Sequence, residues 1–313
     1  MAKTAMLALL AWTAAAYAQS SIVLKNAFIE ANKNRATMDI TLEVDHVLSR
    51  PHKISNGGND GDVHMSGRSD DIGLPLVVEI MNAGSADEAT VLQDAEQANN
   101  GNTVAVTGVW RIWFEHPGGD QVQGDPVPVP ADTNPDHVFE IHPVTKFGGD
   151  SATASLSPIP GYTAYDAGKA FPQYERLQAT IQASDTATTI SASKVGYNYA
   201  EFQIQLSAAP TASDDGGFLV LARVMEDAEE PVDAVPDPRR MVFAPGTPPA
   251  ALVATCTAGA LLHVLGIPRV NLERVSFMAA QQPQGQPFQV QLPYEMIVVA
   301  VFPDTAGACG ANQ

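Results

Sequence analysis

The chain has 313 residues, with 35 acidic and 17 basic side chains and a net charge of −18. So acidic a surface repels phosphate backbones, whose proteins draw affinity from Lys and Arg displacing counterions, so nucleic acid is not an expected partner. At about 150 residues per domain, the length suggests two domains.

The first predicted element, residues 1–18, reads as a signal peptide. Lys3 supplies a short positive start, an apolar run follows, and Ala16-Tyr17-Ala18 has the small-x-small form of a cleavage site. That run is shorter than the about 20 residues a bilayer crossing needs, and no later segment is uniformly apolar over such a length. The expectation is export to the periplasm or the medium, with no membrane span and no anchoring lipid on a cysteine.

Residues 19–150 carry strand signals. Met38, Ile40, Leu42 and Val44 alternate with polar residues along one strand. A run of turn formers, Asn56 to Asp62, separates it from a short strand over Asp62 to Met65. Leu74 to Met81 is a mostly apolar strand, and Asp87 to Asn99 a short helix candidate. Thr103 to His116 reads as one long strand interrupted by Gly108, where a glycine marks a bulge or bend that lets a sheet curl. A Gly-, Pro- and Asp-rich loop then leads to the strand HVFEIHPV, residues 137–144. Five short strands, a mid-strand glycine and a helix fit an OB-like β-barrel.

Residues 151–190 are expected to be a linker with a short helix near Asp166 to Leu177, interrupted by Pro172. Residues 191–313 read as a second β domain, sandwich or barrel. Tyr199 to Leu206 alternates, and Phe218 to Val224, Arg240 to Phe243, Leu261 to Leu265 and Met296 to Phe302 are further strands. The fold class is therefore mainly β with few short helices, and no repeat at a fixed period connects the halves. Cys256 and Cys309 are the two cysteines; as an even pair in an oxidising compartment they are expected to form one disulfide.

Two clusters carry the candidate chemistry. In HVFEIHPV, strand alternation puts Glu140 and His142 on one face and His137, Phe139 and Ile141 on the other. In Asp60-Gly-Asp-Val-His64, Asp62 and His64 share a face, Asp60 sits on the turn before them, and Glu79 lies on the next strand. If a barrel makes these strands neighbours, Asp60, Asp62, His64, Glu140 and His142 could hold zinc or another divalent metal. The plainer reading is a buried hydrogen-bonded network that fixes strand register, because buried polar groups must be paired. No GxSxG, Walker A, GxGxxG or HExxH sequence occurs, so no catalytic residue is assigned. Trp110, Ile112 and Phe114 share the expected core face. Arg111 and Trp113 lie opposite, which makes them the candidate binding pair, with Trp113 exposed for stacking.

NDGDVHMSG, LPLVVEIMNA, VTGVW and NPDHVFEIHPVTKF together resemble a group of uncharacterised exported bacterial proteins with DGDxH and EIHPV motifs. The resemblance covers about Asn34 to Phe147 and extends to VGYNYAEF, RRMVF and VLGIPRVNLERV. It implies an OB-like barrel and attaches no activity. A more distant similarity is to staphylococcal-nuclease-type barrels, whose DGD turn supplies calcium ligands; Asp60 and Asp62 match that turn. Val63 stands where that pattern has threonine, and Arg68 and Arg111 are candidates for its arginines by elimination alone. The expected function is an exported, non-enzymatic binding or envelope-interaction protein, its partner a small molecule, glycan or envelope protein. The alternative is a metal-dependent hydrolase, phosphodiesterase or nuclease-like, using the Asp/His/Glu cluster with a divalent metal.

Overall fold

A computed structural model describes residues 19–55, 59–227, 230–304 and 309; the expected signal peptide lies outside them. The first half opens with β1 (Ser20–Lys25) and α1 (Asn26–Asn32), followed by β2 (Thr37–Val47), β3 (Val63–Arg68) and β4 (Leu76–Ile80). Helix α2 (Ala89–Ala98), β5 (Asn102–His116), β6 (Gln121–Val122), β7 (His137–Phe147) and β8 (Asp150–Ser151) complete it. β3 pairs with β2 and β4, β2 with β5, and β5 with β7; β7 then closes on β4 in parallel. Counted in chain order, the five strands of this closed barrel run 1-2-3-5-4-1, with a helix between the third and fourth. That is the arrangement of an OB barrel.

The second half repeats it. It contains β9 (Tyr165–Asp166), α3 (Ala167–Arg176), β10 (Gln178–Ala183), β11 (Ala187–Ala192), β12 (Ala200–Leu206), β13 (Thr211–Ala212) and β14 (Phe218–Met225). Then come β15 (Arg239–Phe243), α4 (Pro248–Val253), β16 (Leu261–Val270), α5 (Leu272–Ala279), β17 (Phe288–Gln291) and β18 (Tyr294–Val301). β14 pairs with β12 and β15, β12 with β16, and β16 with β18, while β18 and β15 close the ring in parallel. The second β unit is thus also a five-stranded barrel of the same strand order, again with a helix between its third and fourth strands.

Register reveals a repeat in the residues themselves. The fourth strands read Val106-Thr-Gly-Val-Trp-Arg111 and Val264-Leu-Gly-Ile-Pro-Arg269. Gly108 sits opposite Met38 and Gly266 opposite Ala200; Arg111 is the partner of Glu140 and Arg269 the partner of Glu295. The ladder is irregular beside each glycine. At Gly108 a Cβ would lie 2.8 Å from the Pro143 carbonyl oxygen and closer still to Ile141, so only glycine lets the strands approach this closely.

The stretch 151–190 contains α3, as expected, but also β10 and β11. These join β1, β6 and β17 in a third sheet ordered β17-β10-β11-β1-β6. This sheet gathers segments that precede each barrel with segments that connect each barrel's last two strands. One apolar core runs through both barrels and this sheet, and a smaller one, including Met81, Val109, Leu265, Ile267 and Ile297, lies where β5 meets β16. Cys256 and Cys309 form the expected disulfide, which closes a loop of 53 residues and contributes about 4 kcal/mol through the unfolded state. Among the described residues no helix is long and apolar enough to cross a membrane.

Candidate functional site

The first barrel brings both predicted clusters together. Gly61, at φ +82, turns the chain so that Asp60 and Asp62 point inward ahead of β3. His64 on β3 is the ladder partner of Glu79 on β4, and β4 runs parallel beside Glu140 and Ile141 of β7. Glu79 therefore stands between two imidazoles, its Oε1 3.5 Å from His64 Nε2 and its Oε2 2.8 Å from His142 Nδ1. Asp62 contacts His64 Nε2 through one oxygen and accepts from His52 Nδ1 at 2.9 Å through the other. His142 Nε2 meets the Tyr199 hydroxyl at 2.8 Å, and that hydroxyl donates to Asp60 at 2.6 Å. Tyr199 precedes β12, so the network crosses from one barrel to the other.

Glu140 anchors the inner end. It accepts from Arg111 and lies 3.1 Å from His137 Nε2. Arg111 further donates to the Pro268 carbonyl at 2.9 Å and to Asn198 Oδ1 at 2.6 Å. All these groups except His52, His64 and Asn198 are buried.

Charge in so dry a place must be balanced. Burial works against the Glu140 carboxylate, yet the Arg111 guanidinium and His137 hold it well below the usual range. Burial likewise opposes a charged His142, but Glu79 and Glu140 raise it well above an ordinary histidine. Burial also disfavours charge on His64, and Glu79 and Asp62 still carry it up to about 9. Asp60 goes the other way: burial and the neighbouring Asp62 push its carboxyl up to about 8. Arg111 and the imidazoles therefore face Asp62, Glu79 and Glu140, so that the buried carboxylates are offset by neighbouring donors.

Several expectations need correction. His137 joins Glu140 despite the alternation argument, because the ladder with β5 is irregular between Ile112 and His116 and strict alternation fails at the head of β7. Arg111 and Trp113 are not an exposed binding pair: both are buried. The face of β5 opposite the barrel core is covered, by the second barrel at Arg111 and by α3 at Trp113, whose ring packs edge-on to Tyr174 with centroids 5.7 Å apart. Stacking a ligand on Trp113 is ruled out by that packing. Arg68, the other arginine of the nuclease comparison, is tied to Asp45 and Glu43 instead of to Asp60 or Asp62.

His52 is a member of the network that no motif announced, and Tyr199 stands in the VGYNYAEF stretch, to which the sequence attaches no site role. His52 precedes a loop of turn formers, and Tyr199 lies in the other barrel's sequence. A signal for the inter-barrel part did exist, in the shared V-x-G-x-x-R of β5 and β16.

A second site lies on the outer face of the second barrel. A cleft of about 520 Å³ opens between β14, β15, α5 and the chain entering β18, lined by Leu221, Arg239, Arg240, Arg274, Asp237 and Glu273 among others. Arg239 is bound to Glu175 at 2.7 Å and Arg240 to Glu295. Arg274 is exposed, and its guanidinium lies over the Phe277 ring at 5.1 Å.

No protein-family model matches the chain, and no curated protein matches it. Among solved structures, it is similar to a deletion mutant of the single-stranded DNA binding protein from Thermus aquaticus, at 9% identity over 85% of this chain and 94% of that one. The TM-score of that superposition is 0.21, and no argument rests on it.

Proposed function

We propose that this is an exported, non-enzymatic binding protein whose second barrel takes an acidic oligosaccharide into the Arg274 cleft. The observation that carries the reading is the cleft's place and lining. OB barrels bind oligomeric ligands over their second and third strands and the loops around them, and the cleft sits there, between β14, β15 and the connection from β16 to β18. Leu221 and Phe277, at 53% and 51% exposure, are two of the five large apolar side chains left in water among the described residues; Leu221 lines the cleft and Phe277 lies under Arg274 at its edge. An exposed arginine over an aromatic ring suits a sugar ring bearing a carboxylate, through apolar contact and a charge-assisted hydrogen bond. The net charge of −18 weighs against a polyphosphate backbone in the same place. The disulfide supports an oxidising compartment, in keeping with the signal-like N-terminus.

The test is an array of acidic and neutral glycans, followed by calorimetry on the best binders. Binding confined to acidic glycans, and weakened about tenfold or more by Arg274→Ala and Phe277→Ala, is the expected result. Silence across the array, or binding indifferent to both substitutions, overturns the reading.

A further inference from the structure

We infer that the first barrel holds one divalent transition-metal ion between Asp62, His64, Glu79 and His142, a structural tie that joins the two barrels. Two imidazoles and two carboxylates are the donor set that zinc and its neighbours prefer. Bonds of about 2.1 Å at tetrahedral angles place ligand atoms roughly 3.4 Å from one another. Glu79 Oε1 and His64 Nε2 are 3.5 Å apart, while Glu79 Oε2 with His142 Nδ1, at 2.8 Å, and Asp62 with His64 lie closer and must open to admit the ion.

Two further features point to an ion. His64 Nε2 faces both the Asp62 and Glu79 carboxylates, and one ring nitrogen carries a single proton to give. His142 Nδ1 is fully buried, 2.8 Å from Glu79 Oε2 and 3.5 Å from Glu140 Oε2, and forms a well-shaped hydrogen bond to neither. Buried polar groups are ordinarily satisfied, and a lone pair aimed at a shared cation satisfies this one.

The surroundings are those of a metal centre. A ligating histidine normally donates its other N–H to a fixed acceptor. His142 Nε2 has the Tyr199 hydroxyl, itself held by Asp60, and this relay sets the tautomer with Nδ1 free to bind. His52 orients Asp62 in the same manner, and with Asp62 and His64 it places ligand atoms within 4.8 Å of one another. Glu140 Oε2 also comes within 3.5 Å of His142 Nδ1, but its two oxygens are taken up by Arg111 and His137, which leaves it outside the ligand set. His52 and His64, at 30% and 13% side-chain exposure, mark the way in from solvent. Asp62, Glu79 and His142 are buried, so the ion's work is to bind β3, β4 and β7 to one another and, through Tyr199, to the second barrel.

The experiment uses the full mature chain, stripped with a chelator and titrated with zinc and with cobalt. One equivalent is taken up, the thermal midpoint rises on loading, and cobalt gives the visible absorption of a low-coordinate nitrogen and oxygen site. His64→Gln and Glu79→Gln abolish stoichiometric uptake, and Tyr199→Phe weakens it roughly ten- to a hundredfold. Uptake of no metal by the stripped wild-type chain, or cobalt with the spectrum of the free hydrated ion, overturns the inference without reference to any variant. So does a full equivalent retained by folded His64→Gln and Glu79→Gln. Glycan binding at the Arg274 cleft is a separate measurement and survives either outcome.

Discussion

Arg111 and Glu140 are both removed from water, and each is tolerable only because the other is there. Arg111 also serves Pro268 and Asn198, so its guanidinium has few idle donors. Truncating one member of such a pair costs about 3–5 kcal/mol, whereas replacing both with apolar residues of similar size costs far less. Arg111→Ala is therefore expected to lower stability by that amount in denaturant titrations, and Arg111→Met with Glu140→Leu to recover much of it. A double variant no more stable than the single would show that the pair does not act as a unit. Glu88 is a different buried acid, whose carboxyl has the Ser155 backbone amide as its one opposing donor. Burial raises its carboxyl from 4.5 to about 7, against a smaller opposing contribution from the Ser155 amide. A folded-state value above the unfolded one means that the folded chain binds the proton more tightly. Its contribution is full below about 4.5, falls as pH rises through about 7, and is gone above that. Glu88→Gln should flatten the decline in melting temperature between pH 5 and 8, a change of about 3 kcal/mol at most. An unchanged slope would exclude Glu88 as its source.

Gly108 and Gly266 occupy the same place in the two fourth strands, but their surroundings differ. A Cβ at Gly108 overlaps Ile141 and the Pro143 carbonyl, whereas at Gly266 the nearest atom is the Ile297 oxygen at 3.1 Å. Gly108→Ala is expected to cost about 2–3 kcal/mol and Gly266→Ala about 1 or less, an ordering that thermal melts of the two variants decide. The bend at Gly108 is readable from the sequence because a lone glycine inside a long strand pattern marks a bulge or a close approach of two backbones. The strand alternation of Met38, Ile40, Leu42 and Val44 is equally readable, and all four are buried. The convergence of Asp62, His64, Glu140 and His142 follows from strand order once a barrel is assumed. Which sheet faces meet water is not readable in the same way. Alternation gives β5 two faces and does not say that α3 and a second barrel cover the one carrying Arg111 and Trp113. His137 escapes because an irregular ladder breaks the period on which alternation rests. The repeat escapes because its connecting loops differ in length, so no single offset aligns the five strands.

At the scale of the whole molecule, the two barrels exchange the same contact. Arg111 of the first donates to the carbonyl of Pro268, the residue before Arg269, and Arg269 of the second donates to the carbonyl of Trp110, the residue before Arg111. Arg269 goes further: it donates to the Ala36 and Arg35 carbonyls, stacks over the Trp110 ring at 3.5 Å and pairs with Glu295 at 2.7 Å. A side chain of the second barrel thus reaches three backbone acceptors of the first, and those of Ala36 and Trp110 are bonded where both partners are buried, out of reach of replacement by water. The third sheet adds a second connection, since β1 and β6 pair into a ladder with β11 and β10. Two barrels linked in this way should unfold as one cooperative unit. Arg269→Lys, which keeps the charge but cannot reach several acceptors at once, is expected to lower a single melting transition and to reduce amide-exchange protection in β2 and β5 as well as in β16. Two separate transitions, or exchange that changes only in the second barrel, would show that the reciprocal arginines join the barrels in space without coupling their stability.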